Sequence, residues 1–252
     1  MILLQHALNQ PKSWILAHND VELTTEQKNT LLASLEQRLQ GVPLPYILGY
    51  WDFFGRTFSI TPDVLIPRPE TELLVEKAIE HAHQIPNPLI ADVGTGSGAI
   101  AVSLSAELPS ASIIALDISR KALRVASKNA RQNQQTQIRF VQSDLLAPFI
   151  TNFDLICANL PYIPTHTLIS LPVVQWEPRL ALDGGESGLD LIQRLLRQAR
   201  SRLSSTGVIL LETEASLGQA TLAAAQEVFP NSQCHLIQDL AGHDRIVEIQ
   251  RG

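Results

Sequence analysis

Short apolar segments alternate with amphipathic ones from Pro88 to the end of the chain, and this alternation restricts the fold more than any other feature. The apolar segments Leu89–Val93 and Phe153–Ala158 are almost continuous, which is typical of parallel strands buried on both faces. Helical patterns separate the segments, so we predict an α/β fold with a doubly wound, mostly parallel, Rossmann-like sheet. Five further strands are predicted at 112–116, 137–141, 207–211, 234–238 and 246–249, which makes the sheet seven-stranded, and the last two could pair antiparallel.

The first 69 residues follow a different pattern. Leucines recur at helical spacing from Leu31 to Leu39, Thr24 or Thr25 precedes them as a helix start, and Gly41 follows as a stop signal. Residues 1–50 are therefore predicted to form a small helical N-terminal domain. Residues 51–69 are predicted to form a β-hairpin linker with strands at 52–60 and 64–66, and residues 70–252 the α/β domain.

Composition narrows the classes of partner. No apolar run approaches the roughly 20 residues that span a bilayer, and the N-terminus lacks the pattern of a signal peptide. Two cysteines offer no disulfide framework, and the seven histidines show no metal-ligand spacing. The net charge of −6 and the lack of a Lys/Arg-rich run give non-specific nucleic-acid binding little support. We expect a cytoplasmic monomer with no metal, no membrane association and no direct nucleic-acid partner.

A glycine-rich loop follows the first strand of the predicted sheet. Ligands of open α/β sheets bind beyond the carboxyl ends of the strands, where glycine lets the backbone approach a ligand closely. The spacing is Gly-x-Gly-x-Gly, whereas dinucleotide sites use Gly-x-Gly-x-x-Gly, so it favours a nucleoside with a short carboxylate-bearing tail. The alternative is a tight turn without a ligand. The candidate cofactor-binding residues of the loop are Gly94, Thr95, Gly96, Ser97 and Gly98.

Two aspartates end the next two strands. Asp117 could accept hydrogen bonds from both hydroxyls of a ribose, or it could cap the helix that begins near Ser119. Asp144 could accept from the exocyclic amine of adenine while Leu145 packs on the ring, although it could also be an ordinary loop residue. Three such elements after three successive strands predict a nucleoside site much more specifically than any one of them.

The fourth strand is followed by Asn159, Leu160, Pro161 and Tyr162. The Asn159 side chain and the backbone of Leu160 each offer a carbonyl, and two acceptors placed in this way can hold both hydrogens of an NH₂ group. Pro161 donates no N–H and favours an extended conformation at residue 160, while Tyr162 offers a flat face for a planar amide or base. The alternative is a proline turn with a capping asparagine. By itself this catalytic loop, residues 159–162, cannot distinguish a glutamine amide from an adenine amine.

These motifs resemble those of the class I S-adenosylmethionine-dependent methyltransferases that act on nitrogen. Four further segments resemble the peptide chain release factor glutamine N5-methyltransferases in particular: Pro-Tyr-Ile-Leu-Gly at 45–49, Leu-Ile-Pro-Arg-Pro-Glu-Thr-Glu at 65–72, Glu-Pro-Arg-Leu-Ala-Leu at 177–182 and Asp-Leu-Ala-Gly-His-Asp-Arg at 239–245. The resemblance implies a seven-stranded methyltransferase sheet, S-adenosylmethionine as cofactor, and a release factor as protein substrate. It also implies that the glutamine of a Gly-Gly-Gln motif is methylated at N5, that the N-terminal domain recognises the substrate, and that Asn159 contacts both cofactor and substrate.

Two departures keep alternatives open. The family's usual loop is Asn-Pro-Pro-Tyr, and Asn-Leu-Pro-Tyr also occurs in rRNA adenine dimethyltransferases, so an RNA or DNA adenine N6-methyltransferase is the rival enzyme. A cofactor-binding scaffold without activity is the rival from another class. The N-terminal domain begins later than in the family, so we expect a shortened domain or a misassigned start.

Arg68, Glu70 and Glu72 could shape a substrate cleft or form structural pairs, and Glu177 could brace the catalytic loop.

Overall fold

The N-terminal segment is built from four helices in the computed structural model, which describes residues 1–251. The longest helix begins at a capping box: the Thr24 hydroxyl accepts from the Gln27 N–H, and the Gln27 side chain accepts from the Thr24 N–H. Thr24 is one of the two starts predicted from the sequence. Gly41 lies beyond the last turn with a φ of 93°, a conformation that favours glycine. The four helices are α1 (Ile2–Leu8), α2 (Lys12–Ala17), α3 (Thr25–Leu39) and α4 (Leu44–Leu48).

A β-hairpin follows, with β1 (Tyr50–Phe53) antiparallel to β2 (Arg56–Ser59). The predicted strands at 52–60 and 64–66 are wrong, because the chain turns at Phe54 and Gly55 and residues 64–66 form no strand. Both turn residues have positive φ, 47° and 69°, as a two-residue hairpin turn requires. Phenylalanine rarely adopts this conformation, so Gly55 was the one turn signal at this place in the sequence.

The α/β domain contains one seven-stranded sheet, as predicted. Its order is β5-β4-β3-β6-β7-β9-β8, and β9 alone runs in the opposite direction to the other six strands. The chain moves outward from β3 through β4 to β5 and then returns to β6, so strand order reverses between β3 and β6, where open sheets bind ligands. The strands are β3 (Leu89–Val93), β4 (Ser112–Asp117), β5 (Arg139–Gln142), β6 (Phe153–Ala158), β7 (Leu203–Glu212), β8 (Gln233–Gln238) and β9 (Asp244–Gln250).

Helices cover both faces of this sheet, which confirms the doubly wound architecture. One apolar core contains Leu74, Ile100 and Val125 from three helices, together with Phe53 and Phe58 of the hairpin. The second core lies on the other face and is built around helices α9 and α10. None of the helices within residues 1–251 combines the length and the apolar character needed to cross a membrane. The helices of this domain are α5 (Thr71–Ala82), α6 (Ala99–Glu107), α7 (Arg120–Gln132), α8 (Thr165–Leu168), α9 (Asp190–Ala199) and α10 (Gly218–Val228).

Candidate active site

The glycine loop is shaped by two close approaches. Gly94 has a φ of 77°, and a Cβ placed there would lie 2.9 Å from Cδ2 of Leu160 in the catalytic loop. Gly98 has a φ of 82°, and its Cβ would lie 3.0 Å from that of Ala126 on α7. A side chain at either position would therefore strain the backbone and push a neighbouring element away. The glycine spacing thus lets the loop contact both the catalytic loop and a helix.

Asp92, near the end of β3, anchors the glycine loop by hydrogen bonds. One carboxylate oxygen accepts from the Thr95 hydroxyl at 2.6 Å and from the Ala101 N–H at 3.1 Å. The other, Oδ1, is buried and has no partner within residues 1–251. Burial raises the pKa of this carboxyl to about 7, against the effect of those two hydrogen bonds. Thr95 therefore stabilises the glycine loop itself, because its side chain is buried and its hydroxyl donates to Asp92.

Asp117 joins the glycine loop to the start of α7. Its Oδ2 accepts from the Gly96 N–H at 2.9 Å, and its Oδ1 accepts from the Ser119 N–H at 2.8 Å. Ser119 itself caps α7 by accepting from the Ala122 N–H. Each carboxylate oxygen keeps acceptor capacity, so the carboxylate is held in place and is still able to bind two hydroxyl donors. Burial raises the pKa of Asp117.

Asp144 and Leu145 lie beyond the end of β5. Leu145 is buried and has a φ of 52°, an uncommon conformation for leucine. Its backbone carbonyl accepts from the Ser143 hydroxyl at 2.6 Å, which stabilises this bend. Asp144 accepts from Arg194 of α9 at 2.6 Å. The sequence analysis missed Arg194, because the two residues are 50 positions apart and no local pattern relates them.

One cavity of about 700 Å³ brings the predicted motifs together. This volume is within the usual range for small-molecule sites. Thr95, Ser97, Gly98 and Tyr162 do not line it; the Ser97 carbonyl instead accepts from Asn129 of α7 at 2.9 Å. The predicted site residues that line the cavity are Gly94, Gly96, Asp117, Asp144, Leu145, Asn159, Leu160 and Pro161.

The catalytic loop leaves β6 at the edge of this cavity. Asn159 donates from Nδ2 to the Thr71 hydroxyl at 3.0 Å, so its Oδ1 is on the opposite side of the amide. Leu160 is buried against the glycine loop. The side chain of residue 160 therefore takes part in packing the two loops together, which the sequence analysis did not anticipate. Tyr162 is partly buried, and burial followed by the nearby Glu212 carboxylate raises its pKa.

Comparisons with known proteins agree with this geometry. Profiles described as "PrmC N-terminal domain" and "Methyltransferase small domain" match residues 1–49 and 69–174. A "Release factor glutamine methyltransferase" of Moorella thermoacetica is 41% identical over 249 residues, covering 97% of this chain and 87% of that protein. A protein of the same name from Bacillus anthracis is 34% identical, covering 98% of this chain and 89% of its own length. The chain belongs to the release factor glutamine methyltransferase family.

Family membership confirms the resemblance seen in the sequence, and it does not favour the adenine methyltransferase alternative. A solved structure with a similar fold is the 16S rRNA N2 G1207 methyltransferase of T. thermophilus, with a TM-score of 0.61 and 19% identity. That alignment covers 81% of this chain and 50% of the other. At this identity the likeness supports the methyltransferase fold alone.

The segments most typical of this glutamine methyltransferase family form structural pairs. Arg68 donates to both oxygens of the buried Glu177 carboxylate, at 2.8 and 2.7 Å. Glu72 accepts from the Phe54 N–H at 2.7 Å and ties α5 to the hairpin turn. Arg68 and Glu72 therefore both form structural pairs, and Glu177 links the segment between α8 and α9 to the linker that carries Arg68.

Glu212, at the carboxyl end of β7, is the residue near the catalytic loop that the sequence analysis missed. Its side chain is buried, at 5% exposure. Burial raises its pKa to about 7, while the neighbouring Thr71 and Asn159 side chains act in the opposite direction. An acidic residue directly after a strongly apolar strand was the available signal, and it would have predicted a position at the ligand-binding edge of the sheet.

Proposed function

We propose that this family member transfers a methyl group from S-adenosylmethionine to N5 of the glutamine in the Gly-Gly-Gln motif of a peptide chain release factor. The observation that carries the proposal is the single cavity that joins the glycine loop, Asp117 and Asp144 to Asn159 and Leu160. Near full-length relatives of 34–41% identity that are named release factor glutamine methyltransferases support the choice of substrate.

The residues of the cavity fit this cofactor. Asp117 can accept from the two ribose hydroxyls, because its backbone partners fix the carboxylate without exhausting its lone pairs. Asp144 and Leu145 can hold the adenine, with Arg194 keeping the Asp144 carboxylate in position. Gly94 and Gly96 line the cavity without side chains and so leave room for the amino-acid tail. When bound, the cofactor supplies a methyl group on a positively charged sulfur.

The substrate's amide nitrogen is a weak nucleophile, because its lone pair is delocalised into the carbonyl. The catalytic loop can compensate for this weakness. Asn159 Oδ1 and the Leu160 carbonyl can each accept one hydrogen of the substrate NH₂, which orients the nitrogen toward the methyl group. The two acceptors also stabilise the positive charge that develops on nitrogen. No general base is needed before transfer, because the proton leaves the nitrogen afterwards.

The N-terminal segment completes the proposal. Residues 1–50 would recognise the body of the release factor, and residues 51–69 would connect them to the catalytic domain at 70–252. The match of residues 1–49 to the "PrmC N-terminal domain" supports this division. We further propose that the protein acts as a cytoplasmic monomer without a nucleic-acid partner. The net charge of −6 supports the last of these points, because nucleic-acid binding depends on clustered positive charge.

Labelled S-adenosylmethionine with a purified release factor, and in parallel with stripped rRNA, tests the function. Label is expected on the glutamine of the Gly-Gly-Gln motif, located by peptide mass spectrometry. A release factor with glutamate in place of that glutamine is the matched control and should remain unlabelled. Label on the RNA would establish the adenine alternative, and label on neither would establish the inactive scaffold.

A further inference from the structure

Glu212 is a buried carboxylate that the mechanism above does not use. Leu211 of β7 pairs with Ala158 of β6, so the next residues along the two strands, Glu212 and Asn159, emerge side by side at the carboxyl edge of the sheet. Oε2 of Glu212 is buried and has no partner within residues 1–251. A carboxylate in such a place is energetically unfavourable, because its charge has been removed from water without a partner that compensates for the loss.

Thr71 connects this carboxylate to the catalytic loop. Its buried hydroxyl, in the first turn of α5, accepts from Nδ2 of Asn159 at 3.0 Å. A hydroxyl that accepts one hydrogen bond still has its own proton to donate. Thr71 and Asn159 are both neighbours of the Glu212 carboxylate that lower its pKa. The three polar side chains therefore form a chain of neighbours from Asn159 through Thr71 to Glu212, in which the Asn159–Thr71 contact is a hydrogen bond.

The direction of this chain determines which way the Asn159 amide faces. A carboxylate accepts hydrogen bonds and cannot donate them, so it attracts the NH₂ side of the amide and repels the carbonyl side. We propose that Glu212 is a positioning residue that, together with Thr71, holds Asn159 with Oδ1 facing the substrate NH₂. Its negative charge also stabilises the positive charge that develops on the substrate nitrogen. This inference rests on the proposed role of Asn159 in the function above.

The surroundings of Glu212 make its ionisation depend on pH near neutrality. Burial, and then Glu70 at the start of α5, favour the protonated acid, whereas Arg245 of β9 favours the carboxylate. Tyr162 faces it from the catalytic loop. Only the ionised form is a pure acceptor, so the orientation of Asn159 should weaken as Glu212 becomes protonated. The kcat of the wild-type enzyme is therefore expected to rise with pH through the neutral range.

Glu212→Gln tests the inference with little change in size. We expect kcat on the release factor to fall roughly 10- to 100-fold, which is less than the roughly 100- to 1,000-fold lost with a group that touches the reacting atoms, because Glu212 acts through Asn159. Cofactor affinity, measured by calorimetry, should stay within about twofold, and the rise of kcat with pH should disappear. Glu248→Gln is the matched control, because Glu248 is a buried strand carboxylate paired with His81 at 2.7 Å, outside the site. It should leave kcat unchanged.

The possible outcomes are distinguishable. If Glu212→Gln keeps the kcat and pH profile of the wild type, or loses kcat and cofactor affinity in parallel, the positioning role is overturned while the proposed function stands. If the wild type leaves the release factor unmethylated, the proposed function fails as well. If Glu212→Gln does not fold, Thr71→Val replaces it: a loss of kcat that Thr71→Ser restores supports the chain, and full activity in Thr71→Val overturns it.

Discussion

Replacing Gly94 with alanine perturbs the contact between the glycine loop and the catalytic loop. The new Cβ would lie 2.9 Å from Leu160 Cδ2, closer than carbon atoms pack, in a backbone conformation with a φ of 77°. Gly96 offers a matched control in the same loop. Its φ is 55°, but a Cβ there meets nothing nearer than the Gly94 carbonyl oxygen at 3.9 Å.

The two variants share one destabilising effect and differ in another. Placing alanine in the left-handed region costs roughly 1–2 kcal/mol at either position. Gly94→Ala adds overpacking against a buried side chain, typically about 1–3 kcal/mol. We therefore expect Gly94→Ala to lower the free energy of unfolding by roughly 2–5 kcal/mol and Gly96→Ala by roughly 1–2 kcal/mol. The difference measures the packing between the two loops.

Urea unfolding in the absence of cofactor provides the measurement, since any clash with a bound ligand is then excluded. The double variant Gly94→Ala/Leu160→Ala should recover the overpacking part, because the shortened side chain makes room for the new methyl group. Equal destabilisation in the two single variants would refute the reasoning. So would a double variant whose loss equals the sum of its parts, because the two positions would then not interact.

Three further outcomes are expected. Asn159→Ala should lower kcat on the release factor at least about 100-fold while cofactor affinity, measured by calorimetry, changes far less; equal losses would contradict its role with the substrate. Arg68→Ala should lower the free energy of unfolding by about 1–3 kcal/mol, because Glu177 then stays buried without its partner; the partial exposure of Arg68 keeps the loss from being larger. In a Glu177→Gln background, urea unfolding should show a smaller loss. Burial raises the pKa of Glu212 from 4.5 to about 7. Between these two pH values the native state keeps a proton that the unfolded state releases, so the free energy of unfolding falls as pH rises from 4.5 to 7. Glu212→Gln should therefore raise stability at pH 8 by roughly 3 kcal/mol and barely change it at pH 4, and a variant destabilised at pH 8 would contradict the raised pKa.

The sheet and its ligand-binding edge could be predicted because their signals are local. A strand buried on both faces needs an uninterrupted apolar run such as Phe153–Ala158, and a loop that approaches a ligand or a helix needs glycine. The hairpin turn at Phe54 and Gly55 could not be predicted in the same way. Its backbone conformation is imposed by strand pairing and by the packing of Phe53 and Phe58 into the core, and phenylalanine gives no turn signal.

The glycine loop and the catalytic loop were both apparent in the sequence as motifs with a chemical purpose. What joins them was not apparent: Leu160 packs against Gly94. The pair in which Arg194 reaches Asp144 from 50 positions away was not apparent either. Residue 160 therefore matters for its side chain as well as for its carbonyl.

The sequence by itself determined the fold class, the family and the residues most suited to bind a nucleoside and an amide, since each depends on residue type and short spacing. Only the tertiary structure decided how Asn159 is held. Thr71 lies 88 positions before Asn159, and Glu212 lies on a different strand. Such partners meet because the parallel strands end at one edge of the sheet, and the packing of α5 against them selects which side chains come within hydrogen-bonding distance.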